Sequence, residues 1–305
     1  MRALRALDAR VLAIGYGLAA ASADLCPDAQ PLAGFAVHDI SQYGPSYRSA
    51  AAHAFGLGDR PAVLAVAPGG AAERAGLRPD DELLAVDRSS LGGGEPNPPT
   101  ASVARAEAAA DLIDAALADG DAALEMLRGG TRQTIRITAE RGCRGRFQVV
   151  PGNEVNAAAD GRYVQISAAH AENAADDAEL ASILAHELAH NILHHRERLD
   201  RKGISRGLFG GVGRSARLVR QTEIEADRLS VYLMDRAGYP PGAALRFWRR
   251  FGPAHSLGIF ASPTHPGWKE RAARIEAEIA ILARLKQESA KPVPPLLAGP
   301  LPELR

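Results

Sequence analysis

Two cysteines in 305 residues cannot build a disulfide-dense scaffold or a four-cysteine zinc site. Lysine plus arginine number 36 and aspartate plus glutamate 36, so the formal net charge is zero. The basic excess of a nucleic-acid binder is missing, and no nucleic-acid partner is expected. No apolar run reaches the roughly 18 residues that a membrane span needs. No internal repeat with a period of about 20–50 residues is present. What remains is a chain that is 46% hydrophobic, 24% charged and 5% aromatic. That composition is globular, and the length suits about two domains.

Residues 1–30 allow two readings. Arg2, Arg5 and Arg10 precede the apolar stretch Val11–Ala20, and Ala21-Ser22-Ala23 looks like a signal cleavage site. Yet Leu4, Leu7, Val11, Ile14, Leu18 and Leu25 recur at helical spacing, which favours an amphipathic helix. Cys26 and Cys143 are either two core thiols or, in an oxidising compartment, one bridge. The balance leans to an exported or envelope-associated chain.

Residues 31–141 read as a small α/β domain. The expected elements are strands over Pro61–Val66 and Asp81–Val86, a short helix Ala71–Ala75 ended by Gly76, and a helix Ala101–Leu117. Strands Ala122–Arg128 and Gln133–Thr138 follow, joined by the hairpin signal Gly129-Gly130. Val63–Asp87, VLAVAPGGAAERAGLRPDDELLAVD, resembles a PDZ domain of the bacterial protease-associated type. Asp80 stands where that family has glycine. The resemblance implies capture of extended or C-terminal peptides by strand addition. The alternative is a PDZ-like fold that only docks on its neighbour.

Chemistry concentrates in residues 142–290. Glu179–His195 reads as one Ala- and Leu-rich helix containing His186-Glu187-Leu188-Ala189-His190. Residues four apart share a helix face, so both imidazoles can reach one metal ion. Glu187 projects beside them as a general base. Among later acidic residues, Glu223 and Asp227 share a face of a second helix. Glu223 is the expected third ligand, and Asp227 the partner that orients a ligand histidine. Glu225 points elsewhere and reads as a surface charge. His194 and His195 read as structural or solvent-facing.

His-Glu-x-x-His followed by Glu223-x-x-Ala226-Asp227 resembles the zinc metallopeptidases of family M48, relatives of the CaaX prenyl and HtpX-type heat-shock proteases. Asn156–Ser167 resembles the edge strand before the zinc helix in that family, and Ser262-Pro-Thr-His-Pro266, with Arg271 and Ile275 beyond, its late His-Pro motif. The lack of a membrane span points to the soluble branch. The resemblance implies one Zn2+ per chain, a polypeptide substrate and a role in protein quality control. It also implies substrate contact along Arg162, Tyr163, Val164, Gln165 and Ile166. His265 would then stabilise the oxyanion or cover the zinc; otherwise it is a loop histidine. The glycine-rich Lys202–Ser215 is either a flap near the cleft or a surface loop. The tail 291–305 is proline-rich and is expected to have no fold of its own.

The expected architecture is α+β: a small PDZ-like α/β domain, then a mostly helical gluzincin metallopeptidase domain with a short β-sheet. The expected activity is zinc-dependent endopeptidase. The alternative is a peptide-binding adaptor or chaperone-like module with a latent zinc site.

Overall fold

A computed structural model describes residues 1–204, 213–254 and 266–304. It divides into two compact units: residues 1–16 with 30–142, and residues 17–29 with 143–305. The class is α+β, a β-rich first unit and a helical second one.

Helix α1 (Arg2–Ala21) belongs to the first unit as far as Tyr16. Strands β1 (Gln30–Leu32) and β2 (Phe35–His38), helix α2 (Pro45–Phe55), strand β3 (Ala62–Val66) and helix α3 (Ala71–Arg74) follow. Then come β4 (Glu82–Val86), β5 (Ser89–Ser90), α4 (Ala104–Ala116), β6 (Asp121–Arg128), β7 (Thr131–Thr138) and β8 (Glu140–Gly142). The main sheet runs β2-β3-β4-β6-β7, with β5 on β4; β1 and β8 form a separate antiparallel pair. β6 alternates inward Ala122, Leu124 and Met126 with outward residues, so one face is core. Val63, Leu83, Ile113, Leu117 and Ile137 complete that core.

The hairpin turn is made by Gly129 and Gly130, both at positive φ, as a two-residue loop with the right twist requires. Gly76, at φ +89°, closes α3: its N–H donates to Glu73 and that of Leu77 to Ala72. Asp80 takes φ +70°, a left-handed conformation that glycine adopts most easily. Buried Asp81 accepts from Arg128 Nε and Nη2 and from the Arg78 N–H, tying β6 to the turn before β4.

The second unit begins with β9 (Arg146–Val150), β10 (Ala157–Ala159) and β11 (Tyr163–Ser167). Helices α5 (Ala168–Asn173), α6 (Asp177–Ile192), α7 (His195–Arg201), α8 (Gly213–Arg236), α9 (Gly242–Ala254) and α10 (Trp268–Leu285) follow. The sheet order is β10-β11-β9, β10 antiparallel and β9 parallel to β11. This corrects the sequence expectation for Arg162–Ile166. Tyr163–Ser167 is the middle strand, with its backbone engaged on both sides, and cannot accept an added strand. The strand at the sheet margin is β10, three alanines whose lack of alternation hid it.

Cys26 and Cys143 form a disulfide, Cα atoms 5.4 Å apart. Residues 291–304 are held rather than loose. Arg236 donates to the carbonyls of Lys291 and Pro292, and Leu296 and Leu304 are buried. Proline removes donors from this segment but leaves its carbonyls available to arginine.

Candidate metal centre

α6 starts at Asp176, whose side chain accepts from the Glu179 N–H at 2.8 Å. Leu180, Leu184 and Leu188 are fully buried along it, which fixes its rotation and turns His186 and His190 together. α8 packs against α6 and carries Glu223 and Asp227. The three candidate ligands converge: His186 Nε2 is 3.2 Å from His190 Nε2 and 3.3 Å from Glu223 Oε2, and His190 Nε2 is 3.4 Å from Glu223 Oε1. Among the described residues these three form the group able to hold a metal ion. Donor atoms about 2.0–2.1 Å from a tetrahedral zinc stand about 3.3–3.4 Å apart; the two Nε2 atoms have that spacing and the Glu223 carboxylate spans the third corner, so the residues fit zinc with a fourth position left over.

The surroundings orient the ligands. Asp227 Oδ1 lies 3.0 Å from His186 Nδ1. Arg271, on α10, donates Nε to Asp227 Oδ2 at 2.9 Å and Nη2 to Asp227 Oδ1, and stacks its guanidinium 4.2 Å from the centre of the Trp248 ring. Asn191, next to His190, accepts from the Gly161 N–H at 2.7 Å and donates to the Tyr163 carbonyl at 3.2 Å. It pins the β10–β11 turn to the end of α6.

Burial pushes the Glu187 carboxyl up to about 7, the charges of Glu223 and Asp227 adding to it and those of His186 and Arg271 opposing. Burial and Arg271 oppose protonation of His186, but Asp227 and Glu223 prevail and raise it to about 9. Burial holds His190 well below its ordinary value. Glu223 stays well below the usual carboxylate range: burial acts the other way and is overcome by His186, His190 and Arg271.

Glu225 stands elsewhere than the sequence suggested, and His195 takes the structural rather than the solvent-facing alternative. Glu225 is buried, bonded to His195 Nε2 and to Arg198, because α7 folds back over α8 and supplies partners that no local pattern announces. His195 is equally buried and meets His190. His194 takes the left-handed conformation, φ +50°, which ends α6 and swings the chain back; no glycine marks the turn. Its side chain is half-exposed, 3.9 Å from Asp28. Asn191 and the Arg271–Asp227 pair carried no signal beyond position within their motifs. His265 and most of Lys202–Ser215 lie outside the described residues.

Residues 196–279 match peptidase family M48. That span holds Glu223, Asp227 and Arg271, whose geometry completes the histidine pair. The second unit carries a family M48 peptidase domain. The chain is 32% identical over 133 residues to the mitochondrial metalloendopeptidase OMA1 of Schizosaccharomyces pombe, an overlap of 36% of this chain and 39% of that protein. The chain thus spans about two fifths of the length of that curated relative. A solved HtrA-type protease, AlgW with decapeptide, aligns at 23% identity over 37% of this chain and 29% of its own, with a TM-score of 0.25. No described helix of the M48 domain or of the first unit is long and apolar enough to cross a membrane.

Proposed function

We propose that the M48 domain is a zinc endopeptidase in which His186, His190 and Glu223 hold the metal and Glu187 moves the proton. The observation that carries this reading is the convergence, from two packed helices, of His186 Nε2 and His190 Nε2 on each other at 3.2 Å and on the two Glu223 oxygens at 3.3 and 3.4 Å. Zinc, when bound, supplies a Lewis acid that makes water nucleophilic near neutral pH and polarises the scissile carbonyl. Glu187 takes the proton from the attacking water at its carboxylate and delivers it to the leaving amine. Asp227, itself gripped by Arg271, keeps the Nδ1 side of His186 engaged so that Nε2 faces the metal.

The substrate backbone is assigned to β10, replacing the sequence assignment to Arg162–Ile166. β10 ends its sheet, packs on α6, and presents only alanines, which suits an extended peptide of varied sequence. In the first unit, β2 ends the main sheet and α4 packs beside it. A second extended peptide adding to β2 is the selecting role assigned to this PDZ-like unit. The Cys26–Cys143 bridge supports an oxidising compartment.

Elemental analysis beside casein hydrolysis, with and without chelator, tests the reading. One zinc per chain with chelator-sensitive cleavage is expected. Zinc without cleavage, with unfolded partners retained, would instead favour the adaptor. Absence of zinc from protein refolded with the metal would remove the proposal.

A further inference from the structure

His195 lies just past the turn that ends α6 and is 2% exposed. Its Nδ1 is 2.9 Å from Nδ1 of His190, and its Nε2 is 3.1 Å from Glu225 Oε2. Glu225 Oε2 also accepts from Arg198 Nη1 at 2.6 Å, and Oε1 from Gln221 Nε2 at 2.9 Å. On the far side, Arg198 Nη2 donates to the Pro302 carbonyl at 2.6 Å, and Gln221 Nε2 reaches the Glu303 carbonyl at 3.2 Å.

The direction of each hydrogen bond follows from what Glu225 can do. An ionised carboxylate only accepts, and two donors beside it keep it ionised. His195 therefore carries its proton on Nε2 and turns a bare Nδ1 toward His190. His190 must then donate from Nδ1, which leaves its Nε2 bare. That Nε2 is the atom 3.2 Å from His186 Nε2 and 3.4 Å from Glu223 Oε1. The opposite arrangement would set a bare imidazole nitrogen against a buried carboxylate, two acceptors with no proton between them.

We infer that His195 is a positioning residue for His190: it accepts the Nδ1 proton of that ring and so holds Nε2 open toward the metal. Glu225 and Arg198 hold His195 in turn. The inference rests on the zinc reading above. It assigns a purpose to a buried charged group whose desolvation is costly and whose bonds otherwise serve only packing. The imidazole also acts as a spacer. It passes the orienting effect of Glu225 to His190 without placing a second full anion against the metal cluster. Because Glu225 and Glu223 share α8, the chain of bonds fixes the end of α6 to the helix that bears the third ligand.

The test uses the full chain and needs no turnover. Zinc affinity is measured by competition with a chromophoric chelator, and the visible absorption spectrum is recorded after cobalt substitution. His195→Phe keeps a ring and removes both bonds; His195→Gln keeps an acceptor and a donor. The expected result is an affinity about 10–100-fold weaker for His195→Phe, with a shifted cobalt spectrum, and recovery to within about threefold in His195→Gln. Glu225→Gln, which weakens the acceptor, is expected to fall between them. A packing role alone would make the glutamine variant no better than the phenylalanine one. Zinc binding in His195→Phe within twofold of the parent would overturn the inference while leaving the zinc site intact. Should that variant not fold, undiminished affinity and an unchanged cobalt spectrum in Glu225→Gln would do the same. A parent chain that binds no zinc would remove the zinc reading first, and this inference with it.

Discussion

Replacing Glu187 by glutamine keeps the side chain's size and removes its ability to take a proton. If Glu187 is the general base, zinc content stays at one per chain while kcat falls by about 10²–10⁴-fold. His186→Ala, in contrast, takes one corner from the triangle of donors, so both zinc and turnover are expected to go. Full activity in Glu187→Gln would defeat the mechanism. His194 offers a separate test, because φ +50° penalises any side chain and a β-branched one most. His194→Gly should shift stability by less than about 1 kcal/mol, and His194→Val should cost about 1–2 kcal/mol by denaturant titration. Equal stability of the two variants would mean that the turn adapts. At this scale the sequence was most readable where the relevant spacing is local. His186 with His190, and Glu223 with Asp227, stand four apart on single helices and betray their shared faces. Glu225 was misread for the opposite reason. Its partners His195 and Arg198 arrive from another helix through the turn at His194, and a non-glycine left-handed residue leaves no mark in sequence.

Helices α9 and α10 meet where Gly252 faces Trp268. A Cβ added at Gly252 would lie 2.6 Å from the Trp268 Cβ and 2.7 Å from the indole Cδ2, and a Cβ fixed to the α10 backbone cannot swing aside. Gly252→Ala is therefore expected to lower stability by about 1–3 kcal/mol despite alanine's better helix propensity. A differential scanning measurement decides between the two terms: a raised melting temperature would mean that propensity wins. Because α10 also carries Arg271, the same variant should weaken the grip on Asp227. Elements with a strong period were legible. α6, α8, α4 and the β6–β7 hairpin repeat apolar residues every three to four or every two positions. β10 was not legible, since alanine at 157, 158 and 159 fits strand, helix or loop and only pairing with β11 decides. β2 and α2 escaped for a related reason. Their buried residues, among them His38, Ala51 and Phe55, are too few to set a period. The margin of the small sheet was misplaced by one strand, because sequence can suggest a strand but not which of its sides is taken.

For the whole molecule, acid and reductant address different units, and the distribution of fluorophores separates them. Both tryptophans, Trp248 and Trp268, lie in the second unit, so indole fluorescence reports that unit alone. In the first unit, burial, with the charge of Arg5 adding, holds His38 down at about 3. Its Nδ1 meets Tyr43 Oη at 3.1 Å and its ring meets Phe55 edge-on. The unfolded chain takes up this proton below about pH 6.5 while the folded unit refuses it. Stability is therefore fully present above pH 6.5 and is lost as pH falls toward 3, by a few kcal/mol. Amide exchange in β2–β4 should show the loss, and His38→Gln should flatten it. The disulfide acts on the second unit. It joins residues 117 apart, but with the first unit folded β1 and β8 already hold residues 30 and 142 together, so the bridge closes only a short loop and stabilises by about 2–3 kcal/mol in the chain-entropy picture. For a unit of this size each kcal/mol moves the melting temperature by about 2–4 °C. Protein purified without reductant should show no free thiol until it is unfolded and reduced. Reduction should then lower the tryptophan-monitored transition by about 4–12 °C, and Cys26→Ser with Cys143→Ser should match the reduced protein. Two titratable thiols in the untreated native chain, with no shift on reduction, would remove both the bridge and the argument for an oxidising compartment, since the zinc chemistry itself needs neither.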